Sequence, residues 1–168
     1  GAVNATLQEQ FYRYIQGILK GTYADISDLE VAIRLTHPGF SGKIEEEDLF
    51  SIQELNLLLF YAKCKMQRDT EQGRELLEAL LLYIQEHITD IQAKNQIFPR
   101  AVSIYCQEVK EKQFSEKRYF LCKEALENSV QNQSFEYAVS ILEDLEKDSR
   151  YFGENADCYQ VWKNALKE

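Results

Sequence analysis

Between about Leu49 and Arg68 the apolar residues fall into two stripes: Ile52, Leu55, Leu58 or Leu59, Ala62 and Met66 on one side, and Leu57, Phe60 or Tyr61 and Cys64 on another. Steps of three and four are the period of an α-helix, and a helix that is apolar on more than one side is buried between neighbours. The same period runs through most of the chain. A first helix is expected from a Thr6 cap to about Lys20, with Phe11, Ile15, Ile18 and Leu19 on its inner side and Gly21 at its end. Ser27-Asp28-Leu29-Glu30 reads as the capping box of a short second helix through Val31, Ile33 and Leu35. A loop at His37-Pro38-Gly39-Phe40-Ser41-Gly42-Lys43 follows, and the acidic run Glu45 to Asp48 is expected at the N-terminus of the third helix, where the helix dipole favours negative charge.

The pattern then repeats in pairs. Asp69-Thr70 turns into a fourth helix with Leu76, Leu77, Leu80, Leu81 and Ile84 inward. Thr89-Asp90 caps a fifth that runs to about Lys112, and Pro99 either kinks it or restarts it near Phe98. Phe114-Ser115 leads to a sixth helix (Tyr119, Leu121, Cys122, Ala125, Leu126, Val130), Ser134 caps a seventh (Ala138, Val139, Ile141, Leu142, Leu145), and an eighth follows Gly153 (Cys158, Val161, Trp162, Ala165, Leu166). The pattern therefore predicts an all-α chain of about eight helices, the last six in three antiparallel pairs. The turns at residues 69 and 114 lie 45 residues apart, the kind of spacing stacked helix pairs produce. A degenerate tetratricopeptide-like superhelix is the expected architecture; a plain eight-helix bundle is the alternative. Residues 1–44 form the lead-in, and 45–168 hold three helix pairs with a capping helix, in one continuous domain.

Composition sharpens this picture. Two prolines and seven glycines among 168 residues are few for a sheet-rich fold. Nineteen basic against 28 acidic residues give a net charge of −9, which argues against wrapping a polyanion such as DNA or RNA. No basic region precedes an apolar stretch at the N-terminus, and the most apolar window, Leu55 to Ala62, is broken by Asn56, so a cytoplasmic protein without a membrane segment is expected. Gly1 suggests a piece cut from a longer chain. Cys64, Cys106, Cys122 and Cys158 lie in apolar helical patterns with no Cys-x-x-Cys among them, and read as reduced thiols packed as small hydrophobes.

Catalytic and metal signatures are missing. Gly42-Lys43 fails as a phosphate loop because Ile44 stands where Ser or Thr is required and no strand precedes it. His37 and His87 have no ligand partner at zinc-motif spacing, and the acidic run lacks the alternation of a calcium loop. No Gly-x-Ser-x-Gly occurs. No enzyme, metal or cofactor is expected. The polar faces say more. Gln53, Asn56, Phe60 and Lys63 share one side of the third helix, and Gln96, Arg100, Ser103 and Gln107 one side of the fifth. On the first helices of stacked pairs such residues would line a concave groove, with amides for a peptide backbone, cations for a carboxylate and an aromatic for apolar side chains. Tyr151, Phe152, Tyr159, Trp162 and Leu166 near the chain end suit either an internal cap or a homodimer interface.

The segments Glu54-Leu-Asn-Leu-Leu-Leu-Phe-Tyr-Ala-Lys-Cys64, Leu76-Leu-Glu-Ala-Leu-Leu-Leu-Tyr-Ile84 and Ile97-Phe-Pro-Arg-Ala-Val-Ser-Ile-Tyr105 make the chain resemble the C-terminal helical-repeat region of Gram-positive helix-turn-helix regulators of the Rgg, PlcR and MutR type. The resemblance spans roughly residues 5 to 168. It implies a region that dimerises and senses a short peptide or small ligand on its concave face, with DNA bound by an N-terminal helix-turn-helix domain missing here. Asn56 and Arg100 match the family's peptide-contacting residues by type and face. A constitutive protein-protein scaffold is the alternative expectation.

Overall fold

The computed structural model describes residues 1–21, 25–109 and 115–168. Among them the chain is all-helical, in eight α-helices: α1 (Ala2–Lys20), α2 (Ile26–Arg34), α3 (Ile52–Met66), α4 (Thr70–His87), α5 (Ile91–Glu108), α6 (Glu116–Gln131), α7 (Ala138–Ser149) and α8 (Asp157–Lys167). They form two compact units, Gly1–Leu82 and Tyr83–Glu168. The division expected at residue 44 lies inside the first unit, in the loop that precedes α3.

In the first unit α1 and α2 pack on each other and on α3. Leu29 and Ile33 of α2 are buried, as are Leu55, Leu57, Leu58, Leu59, Tyr61 and Ala62 of α3, so α3 is enclosed on most sides as its two apolar stripes require. The inner side of α1 differs from the expected one. Gln10, Tyr14 and Gly17 face inward, while Phe11, Ile15, Ile18 and Leu19 stay exposed. Gln10 is buried because its Nε2 donates to the Ala32 carbonyl at 3.0 Å and the Thr36 hydroxyl at 2.8 Å, tying α1 to the end of α2. Gly17 is where the helices touch: a Cβ there would lie 2.7 Å from Leu29 Cδ2 and 3.3 Å from Phe60 Cε1.

Several helix starts also move. Thr6 sits within the first turns of α1 and donates back to the Ala2 carbonyl, and α2 is capped by Asp25, whose Oδ1 accepts from the Ser27 N–H at 2.8 Å. The acidic run falls outside α3: Asp48 Oδ2 accepts from the Glu45 N–H within the loop, and Ser51 caps the helix. A carboxylate satisfying its own turn competes with a helix N-terminus for the same charge.

In the second unit α5, α6, α7 and α8 pack in succession, and α7 also meets α5. Ile97, Phe98, Ala101, Val102, Cys122, Ala125, Ile141, Leu142 and Leu145 form its core. Asp90 and Ser115 cap α5 and α6 as expected. The fifth helix runs unbroken through Pro99 and ends at Glu108, short of Lys112, which with Phe114 lies outside the described residues. Ser134 caps nothing; α7 opens at Ala138, after a turn in which Gln133 takes a positive φ of 50°. His87 stacks on Tyr83 at 4.4 Å and shares its Nδ1 with the Tyr83 carbonyl near the end of α4. No described helix is long and apolar enough to cross a membrane.

Candidate functional site

The eight polar-stripe residues divide four to each unit, and neither set is an open polar face. On α3, Gln53 Nε2 donates to Gln10 Oε1 at 3.4 Å and the Phe60 ring meets Tyr14 edge-on at 6.2 Å, so both residues belong to the contact with α1. The first helix occupies space that the expected groove would have left to a ligand. Asn56 and Lys63 are half-buried. On α5, Ser103 is buried and its hydroxyl shares a 2.8 Å hydrogen bond with Ser140 of α7, which removes it from any ligand surface. Gln96 and Gln107 are exposed, Gln107 reaching back to the Ser103 hydroxyl at 3.4 Å, and Arg100 is half-buried. Position on one side of a helix does not reveal which neighbour covers that side.

Several titratable groups that the fold brings together serve structure. His37 Nε2 lies 2.5 Å from Glu54 Oε2, and Glu54 Oε1 accepts from the Ser51 hydroxyl at 3.2 Å. Ser51 and Glu54 are the two halves of a capping box, so this chain of bonds fastens the loop before α3 to its first turn. The Tyr61 phenol, pushed up by burial and by its 2.8 Å hydrogen bond to Glu30, holds α3 against α2. In the second unit, Arg118 of α6 and Asp148 of α7 form a bidentate pair at 2.6 and 2.5 Å. Burial and this carboxylate act in opposite directions on the guanidinium, and the hydrogen bond prevails, raising its pKa. Among the described residues, no group of three His, Cys, Asp or Glu side chains is placed to hold a metal ion.

The feature best formed for binding lies elsewhere in the second unit. A hollow of about 270 Å³ is lined by Leu126 and Val130 of α6, Phe135 of the following turn, Leu142 of α7, and Trp162, Ala165 and Leu166 of α8. All seven side chains are apolar. Four of them keep a large exposed fraction, Trp162 at 48%. The α8 backbone stays in place because Lys163 reaches Glu146 at 2.9 Å and Lys167 reaches Glu143 at 3.2 Å, pinning its polar side to α7. Its other side therefore presents Trp162 and Leu166 to the hollow. The hollow is open to solvent on one side, so it suits an apolar side chain that enters from the surface. With no polar group inside, it discriminates by shape and apolarity alone.

The Trp162 stripe is visible in the sequence, but as an internal cap or a homodimer interface; that Val130 and Phe135 meet it depends on how α6 and α7 turn. Comparison with protein-family models, with curated proteins and with solved structures finds no match to this chain.

Proposed function

We propose that this chain is the ligand- or peptide-sensing and dimerising region of a cytoplasmic transcriptional regulator, and that the hollow against α8 receives the apolar part of the ligand. The observation that carries this reading is the all-apolar hollow, partly open and built on helices held by ion pairs. Packed helix pairs and the resemblance to Rgg- and PlcR-type regions support it; the polar stripes do not, since three of their residues take part in helix contacts. DNA would be contacted by another part of the parent protein.

Trp162 is the single tryptophan of the chain, so its emission reports on the hollow directly. Titration with short synthetic peptides carrying apolar side chains is expected to give a saturable blue shift, and Phe135→Asp to weaken binding about tenfold, the loss of one buried apolar side chain's contribution. A Trp162 emission that no peptide shifts would refute the assignment of the hollow.

A specific observation also supports self-association. Leu7, Phe11, Ile15 and Ile18 lie on one side of α1 and are exposed, Phe11 at 50% and Ile18 at 41%. An antiparallel pairing of two such helices centred on Phe11 sets Leu7 across from Ile15, so the apolar positions of the two copies are matched. Replacing Phe11 and Ile15 with serine is expected to change monomer stability by less than about 0.5 kcal/mol per site, as for other exposed positions, and to convert a dimer to a monomer in light scattering. A wild-type monomer at high concentration would favour the scaffold reading, in which the same stripe docks a different protein.

A further inference from the structure

In the second unit Cys106 of α5 and Cys122 of α6 face each other with their sulfurs 3.4 Å apart. A disulfide bond is about 2.05 Å long, so closure requires an approach of about 1.4 Å, within reach of side-chain rotation. Cys122 is fully buried, whereas Cys106 is partly exposed. Asp144 of α7 and the Arg118–Asp148 ion pair lie near Cys106, and the Asp144 carboxyl raises its thiol pKa. We propose that Cys106 and Cys122 are a modification site: a peroxide closes them to a disulfide that joins α5 to α6.

Each residue has a separate task in that chemistry. Cys106, the less buried of the two residues, reacts first. Its proton passes to water, and the thiolate attacks the peroxide oxygen. Two electrons move from sulfur into the O–O bond, which breaks to give the sulfenic acid of Cys106 and an alcohol, or water from hydrogen peroxide. Cys122 then attacks the Cys106 sulfur and displaces hydroxide, which leaves as water with the Cys122 proton. The balance is two thiols and one peroxide to one disulfide, one alcohol and one water. The hydrogen bond to Cys122, with burial and the nearby Asp144 carboxyl, pushes the Cys106 thiol up, so little thiolate is present at rest and reaction is slow. The site therefore responds to sustained peroxide.

The test treats the full chain with excess hydrogen peroxide, then denatures, alkylates and maps it without reductant. The expected result is a Cys106–Cys122 linked peptide with these two thiols lost to alkylation, while exposed Cys158 serves as an independent monitor of oxidant. Cys122→Ser should leave a dimedone-reactive sulfenic acid at Cys106 with no internal disulfide. Wild-type protein in which Cys106 and Cys122 both remain alkylatable while Cys158 is oxidised would overturn the proposal, a result that needs no variant to fold. A Cys122→Ser variant that forms no sulfenic acid at Cys106 while Cys158 is oxidised would overturn the assignment of Cys106 as the attacked thiol. Neither outcome bears on ligand binding in the hollow, which Trp162 reports separately.

Discussion

Asp148→Ala is expected to destabilise the second unit by about 3–5 kcal/mol, the range for removing one partner of a buried ion pair. Asp148 is 0% and Arg118 2% exposed at the side chain, and the two share two hydrogen bonds in parallel. Removing the carboxylate leaves a guanidinium, which does not give up its proton, in a site closed to water. Against a total stability of about 5–15 kcal/mol such a loss unfolds a large fraction of molecules under mild denaturant. Replacing both residues at once, Arg118→Met with Asp148→Leu, is expected to cost less, because the fully buried guanidinium is then no longer left without its carboxylate. Chemical denaturation followed by circular dichroism distinguishes the cases. A double variant as unstable as Asp148→Ala would show that the pair itself, and not the stranded charge, supports the packing of α6 on α7.

Gly73→Ala should cost about 2–3 kcal/mol, near the upper end for overpacking a well-filled site. A Cβ at Gly73 would lie 2.5 Å from the Met66 backbone nitrogen and 2.7 Å from its Cα. Those are main-chain atoms at the end of α3, so the helices themselves must separate. Alanine's helix propensity offsets roughly 1 kcal/mol of this. Gly17→Ala is the instructive contrast, since the nearest atom there is the flexible end of the Leu29 side chain, at 2.7 Å, and the smaller penalty should show as a smaller shift of the thermal midpoint. Equal shifts for the two variants would mean that the turn between α3 and α4 yields more readily than its backbone contacts imply.

Much of the fold can be read without coordinates. Apolar residues in α3, α4, α5 and α7 recur with a period only helices satisfy, and Asp69, Asp90 and Ser115 mark helix starts by supplying side-chain oxygens to otherwise unpaired N–H groups. Other starts were open to competition: Thr6 and Ser27 are good capping residues, yet the chain places Gly1 and Asp25 at those ends. The case of α1 shows a deeper limit. Its most apolar side, through Phe11, Ile15 and Ile18, is exposed, and its buried side carries a glutamine, a tyrosine and a glycine. Close approach to α2 and α3 demanded the missing side chain of Gly17, and the Gln10 amide found the Ala32 carbonyl and the Thr36 hydroxyl.

The candidate sites divide along the same line. Residue spacing identified Gln53, Phe60 and Ser103 as sharing sides of their helices, and correctly so, but α1 covers the first two and α7 the third. Spacing likewise showed Cys106 and Cys122 as separate small hydrophobes in two helices, and Trp162 as part of an apolar stripe near the chain end. That Cys106 meets Cys122 at 3.4 Å, and that Trp162 shares a hollow with Val130 and Phe135, was decided by packing. A periodic pattern is a property of one helix, carried by local geometry and readable from one stretch of chain. Which side of that helix is covered, and by what, is a property of two or three helices at once, set by volume, close approach and the pairing of buried polar groups.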